Sequence, residues 1–545
     1  MNYKISILSC LTILLIGSCS ESLDADLIVH NALIYSVNDQ MDTYEAMAIK
    51  DGRIIELGPE HQILNKYKSN EIRDVQKAVI YPGFIDAHSH FLGYGLTSSQ
   101  LDLIGTTSFE DVLNRIDSYH SKNESTWIQG RGWDQNDWET SNFPDNDLLE
   151  DRFPNLNIAL KRIDGHAILV SKSVLKAAGI NKSTTINGGL IVLGEDGEPT
   201  GVLLDKAISL LDAIIPALGI EQKTAALLSA EKDCFAVGLT SVCDAGLEVD
   251  EVDLIQRLQQ DGKLVMRVNA MYSAKPEILS NYTNLGIKTE SLTAKTIKVY
   301  CDGALGSRGA RLIDVYTDDT TSNGFFITPA DSISNWAKMC NEAGFQLAVH
   351  CIGTDGNRVT LDEMSKVLGG TNDKRWRIEH AQVVHPDDRS KFGEYNILPS
   401  MQPTHATSDM YWAEKRLGSN RVSWAYSLKS LMSQNGMIPL GTDFPVEEIS
   451  PLNTFYSAVF RSDLEGFPAG GFNMDEGLTR EEALKGMTIW AAMSSFDEEI
   501  KGSLEVGKLA DFVILDKDIL SCEKQDILNT NIIATYLSGQ TVYEK

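Results

Sequence analysis

The sequence predicts an α/β fold: a (β/α)8 TIM-like barrel, a small β-sandwich formed by the N- and C-terminal segments, and a large insertion domain near the barrel mouth. Three observations predict it. Short apolar strands alternate with helical stretches through the middle of the chain, which implies a parallel sheet. Short β segments recur at both ends, and neither end has enough strands to close a sheet alone. Residues from about 103 to 233 break the alternation. The chain has 545 residues, enough for a barrel and two smaller units.

The chain starts Met1-Asn2-Tyr3-Lys4, runs through an apolar stretch from Ile5 to Ile16, and reaches Gly17, Ser18 and Cys19 before turning polar. A short basic start, an apolar stretch and small residues describe an export signal over residues 1–18; a membrane span needs roughly 20 apolar residues. The run Ile16-Gly17-Ser18-Cys19 resembles a bacterial lipobox. It predicts an exported protein lipidated at Cys19, with residues 19–25 as a tether. Ser20, in place of an aspartate, points to the periplasm-facing outer membrane. Membrane contact is then expected only through that lipid. The remaining cysteines show no CxxC and no framework spacing, and read as small buried side chains.

Residues 26–81 and 496–545 form the predicted sandwich. Leu27-Ile28-Val29 and Leu33-Ile34-Tyr35 read as strands. Ala46 to Lys50, Asp51-Gly52 and Arg53 to Leu57 read as a hairpin with a two-residue turn. At the other end, Phe512-Val513-Ile514-Leu515, Ile532 to Tyr536 and Gln540 to Tyr543 are matching strands.

Residues 82–495 form the predicted barrel. Short apolar strands are read at Val79-Ile80, just ahead of it, and at Thr240 to Cys243, Thr296 to Tyr300, Gln346 to His350, Arg377 to His380 and Pro439 to Asp443 within it, with helices such as Gln222 to Ala236 and Arg480 to Trp490 between or after them. Chemistry at such barrels sits at the C-terminal strand ends, where these His and Asp residues fall. The insertion carries Trp127, Trp133 and Trp138, which would either line an apolar site or pack its own core, the second being commoner.

The formal net charge of −28 repels phosphate backbones and argues against nucleic acid as a partner. The strongest chemical signal is Pro82-Gly83-Phe84-Ile85-Asp86-Ala87-His88-Ser89-His90. Residues two apart on a strand face the same way, so both imidazoles can meet one metal. The chain has only 10 histidines, and His350 and His380 end apolar strands far downstream. Asp443 follows another such strand; beside a metal it would both ligate and take a proton from water.

These features, with Gly502-Ser503-Leu504-Glu505-Val506-Gly507-Lys508-Leu509-Ala510-Asp511, resemble the amidohydrolase superfamily, in particular its amidohydrolase-3, or YtcJ-like, branch. So do Arg162-Ile163-Asp164-Gly165-His166-Ala167, Gly197 to Gly201, Lys298 to Gly303 and Met401-Gln402-Pro403-Thr404-His405. The likeness runs over nearly the whole chain after the signal. It implies that His88 and His90 hold the more buried metal and that Lys298, carboxylated on its amine, bridges two metals. His350 and His380 would bind the second metal, and Asp443 would touch the first metal and the attacking water. His166 and His405 would be substrate or oxyanion contacts. Two departures stand out: His350-Cys351-Ile352-Gly353-Thr354 replaces the usual His-x-Ile-Gly-Asp, and Ser171 stands where an asparagine is usual. Neither touches an implied ligand; both put in doubt any transfer of substrate identity.

The expected function is metal-dependent hydrolysis of a C–N bond in an amide, N-acyl, N-formyl or cyclic imide group, by metal-activated hydroxide with Asp443 as general base. The expected cofactor is one or two divalent ions, Zn2+ first, with iron, manganese or nickel as alternatives. The expected partner is a small amide-type molecule. Related barrels often pair, which leaves a homodimer open, but the sequence does not fix the oligomeric state. Two other readings remain open: a metal-dependent isomerase or lyase acting on a carbonyl compound, and a non-catalytic ligand-binding lipoprotein.

Overall fold

The computed structural model describes residues 22–123, 125–275, 278 and 285–545. The predicted export signal, residues 1–18, and the predicted lipidation site Cys19 lie outside the described residues. Seven parallel strands form a nearly closed barrel in chain order: Phe84–Ser89, Leu239–Leu247, Arg267–Ser273, Leu292–Tyr300, Gln346–Cys351, Arg377–His380 and Leu398–Ser400. Arg267–Ser273, which the sequence reading missed, is the third of them.

The eighth position is filled by a segment that is not a regular strand. Pro439 O accepts from Met401 N at 3.1 Å, and Gly441 N donates to Met401 O at 3.0 Å. On its other side Ala87 N donates to Leu440 O at 3.1 Å, and Asp443 N donates to His88 O at 2.8 Å. The predicted strand from Pro439 to Asp443 therefore closes the barrel through these pairs of main-chain bonds to both neighbours.

The barrel strands are buried on both faces, as parallel strands covered by helices must be. Inside, Cys243, Ala245, Met271 and Ala348 form a layer of mostly small side chains. Outside, Val268, Ile297, Leu347 and Val349 join one large apolar cluster with the surrounding helices.

The two chain ends build two sheets that share a core. One runs in the order Arg53–Gly58, Ala46–Lys50, Leu27–His30, Glu71–Asp74. The other runs Gln540–Glu544, Ile532–Leu537, Phe512–Leu515, Val79–Pro82, Leu33–Tyr35, Thr43–Tyr44. Val79 and Ile80 thus pair with Leu515 and Ile514, within this sheet. Asp51 and Gly52, with φ of 50° and 75°, make the predicted tight turn, in which Lys50 pairs with Arg53. Leu23–Asp24, assigned by sequence to a tether, instead pairs in parallel with Tyr67–Lys68.

The insertion is built on a six-stranded sheet with Leu101–Asp102, Trp127–Trp133, Asn157–Arg162, Ala167–Val170, Pro199–Asp205 and Gly189–Leu193 in spatial order. Trp133 and Trp138 pack in its core and donate to Leu160 O and Thr106 O. It ends earlier than predicted. The helix Ile220–Ala236 buries Ala226, Leu227, Ala230 and Cys234, spaced for one helical face, within the barrel's own apolar cluster. That face makes it a barrel helix, not part of the insertion. The six described cysteines, Cys234, Cys243, Cys301, Cys340, Cys351 and Cys522, are free thiols.

Barrel and sandwich are tied by a buried ion pair. Arg267 donates to both oxygens of Asp511, from Nε at 2.5 Å and Nη2 at 2.8 Å, and Nη2 also donates to Ser538 Oγ. Both side chains are 4% exposed. Removing one partner of such a pair strands the other charge. Asp511→Ala is expected to lower the unfolding free energy by about 3–5 kcal/mol. Arg73→Ala, which removes the exposed pair with Glu544, is expected to cost at most about 1 kcal/mol. Urea unfolding of the two variants beside the wild type measures the contrast.

Candidate functional site

The site is assembled at the C-terminal end of the barrel. Alternation along the first strand puts Asp86 and His88 on one face, with His90 just beyond the strand end. The Asp86 carboxylate accepts from the backbone N–H of His88 at 3.0 Å, from that of Thr442, and from the Thr442 hydroxyl at 2.6 Å. Burial pushes its pKa up to about 7, against those donors. A Cβ on Gly441 would lie 2.5 Å from His88 N and 2.7 Å from Asp86 Oδ1, so only glycine fits there. His380 and Asp443 both take left-handed backbone, with φ of 70° and 65°. Each stands where the chain leaves the barrel, and side chains in such conformations persist only when their surroundings fix them.

The imidazoles are oriented one by one. His88 Nδ1 donates to Glu379 Oε2 at 2.5 Å, and Glu379 is held in turn by Arg377, from Nε at 2.7 Å and Nη2 at 2.9 Å. His380 Nδ1 bonds Gln402 Oε1 at 2.7 Å. His166 Nδ1 bonds Asp205 Oδ1 at 2.6 Å. In all three rings Nε2 is left for the centre of the site. His88 Nε2 lies 3.4 Å from Lys298 Nζ and 3.6 Å from Asp443 Oδ1, and His90 Nε2 lies 3.2 Å from the same oxygen. The ring of His350 is 4.5 Å from that of His380 and 4.9 Å from that of His166; His88 and His380 are 4.8 Å apart. All eight residues expected at the centre, His88, His90, His166, Lys298, His350, His380, His405 and Asp443, border one cavity or pack against those that do.

His405, expected as a substrate or oxyanion contact, lines the cavity and is also bonded to two carboxylates. Its Nε2 meets Asp443 Oδ2 at 3.2 Å and its Nδ1 meets Glu447 Oε1 at 3.0 Å, so both nitrogens are engaged. His166, held only through Nδ1, keeps a free nitrogen.

The electrostatics favour neutral His88, His350 and His380 beside an anionic Asp443, whereas the carboxylates against His166 and His405 raise those two rings. Burial, helped by the Lys298 charge, pushes His88 down to about 4, and burial holds His350 and His380 well below the usual histidine range. Burial also pulls the Lys298 amine down to about 8. Burial alone would raise Asp443, but its contacts with His405 and His90 hold it well below the usual carboxylate range. Burial opposes the charged form of His166 too, yet Asp205 outweighs it and the pKa is raised.

These groups fit a divalent cation. The ligand atoms of His88, His90 and Asp443 lie within 4.8 Å of one another, as do those of His380, His405 and Asp443. His350 Nε2 and Asp443 Oδ1 are buried with no hydrogen-bond partner. Unpaired buried polar atoms are costly and rare, and neutral imidazole with carboxylate is a donor set for borderline metals. The cavity above holds about 660 Å³ and is bounded by the barrel end on one side and by Asp134, Arg162, Asp164 and His166 of the insertion on the other. That volume suits a small molecule.

Sequence reasoning missed Asp86, Glu379, Arg377, Gln402, Asp205 and Glu447. Only the Arg377-x-Glu379 pair left a signal, two opposite charges two apart on the short strand that ends at His380.

A sequence model described as "Amidohydrolase family" matches residues 71–543. YtcJ of Bacillus subtilis (strain 168) is 31% identical over 95% of this chain and 99% of its own length. The N-substituted formamide deformylase of Arthrobacter pascens is 25% identical over 95% and 98%. The crystal structure of an uncharacterized metal-dependent hydrolase from Pyrococcus horikoshii OT3 is similar at a TM-score of 0.74 and 25% identity, covering 91% of this chain and 99% of that one.

Glu379 touches His88 and none of the other imidazoles named above. A carboxylate behind a ligating histidine fixes the ring and raises its basicity. Glu379→Gln is therefore expected to weaken binding of a divalent metal about 10–100-fold, measured by competition with a chromogenic chelator. An unchanged affinity would separate His88 from metal binding.

Proposed function

The chain belongs to the amidohydrolase family, and from that premise we propose that it hydrolyses a C–N bond in a small amide, N-acyl or N-formyl compound or a cyclic imide. The observation that carries the reading is Asp443. One of its oxygens lies near His88 and His90 and is otherwise unpartnered, while the other is held by His405. That arrangement suits a base that ligates and moves a proton. The N-substituted formamide deformylase, 25% identical over nearly the full length of both chains, supports the choice of bond.

In this reading His88, His90 and Asp443 would hold one ion and His350 and His380 a second. Lys298 would serve both, carboxylated, since an unmodified lysine offers no lone pair while charged. Bound there, a divalent ion lowers the pKa of water toward neutrality and polarises a carbonyl; zinc is our first choice for this donor set. Asp443 takes the proton of the attacking water and delivers it to the leaving nitrogen. His405 and Glu447 keep Asp443 aimed. His166 offers Nε2 to the carbonyl oxygen as it gains charge. The insertion closes one side of the cavity and limits access of bulk water.

The test is metal analysis together with turnover of a panel of N-substituted formamides, N-acyl amines and cyclic imides in 18O-labelled water. We expect stoichiometric metal, loss of activity on chelation, and one solvent oxygen in the carboxylate product. Asp443→Asn is expected to lower kcat by about 10²–10⁴-fold. Turnover without solvent oxygen in the product would mean an isomerase or lyase, and a metal-free active protein would end the proposal.

A further inference from the structure

Asp205 belongs to the insertion, yet its carboxylate lies at the boundary with the barrel. The sheet register places it there. Ala167 pairs with Leu204 across antiparallel strands, and Asp205 N donates to His166 O at 2.9 Å. The same residue then grips the imidazole, Oδ1 to Nδ1 at 2.6 Å, so His166 is held at main chain and side chain by one partner. Asp164 Oδ1 accepts from His166 N at 3.0 Å on the other side.

Three observations mark this contact as more than a strand end. Asp205 has φ of 51° and ψ of −122°, a conformation that L residues rarely adopt. Its Oδ2 is buried with no hydrogen-bond partner. The carboxylate also lies in a cradle of two glycines. A Cβ on Gly303 or on Gly309 would come within 2.5 Å of Oδ2. Those glycines belong to the loop that follows the Lys298 strand. Its start is pinned by the Asp302 carboxylate, which accepts from Arg311 N, Ile352 N and Gly353 N. Ile352 and Gly353 lie two and three residues after His350. Asp205 is thus wedged against the loop joining the strands that carry Lys298 and His350.

We infer that Asp205 is a positioning residue that fixes the plane and tautomer of His166 so that Nε2 faces the substrate cavity, and that this contact couples the insertion to the barrel chemistry. The inference rests on the proposed hydrolysis for the identity of that substrate, but not for the geometry of the pair. With Nδ1–H committed to Asp205, Nε2 is the only ring nitrogen left to face the cavity, where the His166 ring lies 4.9 Å from His350 and 6.4 Å from Tyr300. The arrangement follows the general logic of a ring oriented by an acid behind it.

The test uses the metal-loaded full chain and the variants Asp205→Asn, His166→Gln and both together. With the panel compound that the wild type hydrolyses fastest, each single variant is expected to lose about 10²–10³-fold in kcat, with KM and bound metal near wild type. The double variant is expected to be no worse than His166→Gln alone, because the two act as one unit. A second readout needs no substrate. In the 15N-histidine-labelled chain, the downfield Nδ1–H resonance that vanishes in His166→Gln should move upfield in Asp205→Asn. Wild-type kcat in Asp205→Asn, or additive losses in the double variant, would overturn the inference, as would an unmoved resonance. If no panel compound is turned over, the hydrolase reading fails while the resonance still decides the pair; if Asp205→Asn does not fold, Asp205→Glu, which retains the carboxylate one methylene farther out, is expected to keep the downfield resonance.

Discussion

Asp86 is the carboxylate on which the geometry of the site depends. It sits inside the barrel with its oxygens committed to the N–H groups of His88 and Thr442 and to the Thr442 hydroxyl. These bonds staple the first strand to the irregular segment that closes the barrel, and the same segment delivers Asp443. A regular strand would have carried Asp443 along the barrel wall. The irregular one, freed by Gly441 at the point of closest approach, turns it into left-handed backbone. There its main-chain N–H returns to His88 O. His88 and Asp443 are therefore locked to each other by backbone before any side-chain contact forms.

That lock explains how so many polar groups tolerate burial. His88, Glu379 and Arg377 are fully buried, and an isolated charge there would be prohibitive. The charges are arranged in series. Arg377 compensates Glu379 and also donates to Ala87 O and Ser400 Oγ, so its donors are used along the first and seventh strands. Glu379 spends its remaining capacity on His88 Nδ1. What survives at the end of the series is a neutral imidazole nitrogen with nowhere to go but the centre. The same construction recurs with Gln402 behind His380. The polarity of the barrel interior is thus a supporting shell that the ligating atoms need in order to point inward.

The sequence showed the ends of this construction and little of its middle. The HxH pair, His350, His380 and Asp443 were legible because each follows an apolar strand, where barrel chemistry concentrates. The hairpin at Asp51-Gly52 was legible because its turn residues have one physical use. Arg267–Ser273 was missed because Arg267, Asn269 and Ser273 interrupt its apolar character. Arg267 is bound to Asp511 and Asn269 faces the barrel interior, so burial overrode local pattern. The end of the insertion was misplaced for the opposite reason. The apolar face of Ile220–Ala236 is plain in sequence, but nothing local says which core it serves. Glu379 and Gln402 act through histidines distant in the chain, and no spacing rule reaches that far.

The insertion alters how the cavity should be understood. A barrel mouth alone would expose the histidine cluster to water, where electrostatic contacts are weak. Here the insertion sheet supplies one wall and places His166 across from His380 and Asp443, with Arg162 compensating Asp134 and Asp164 beside it. The wall is itself anchored through Asp205 against the loop between the Lys298 and His350 strands. Any shift of the insertion would therefore be felt first at that carboxylate, and through it at the imidazole. Sequence differences within the insertion can then reshape the cavity for different small molecules, while the barrel end, fixed by Asp86, Glu379 and Gln402, keeps the reacting groups in place.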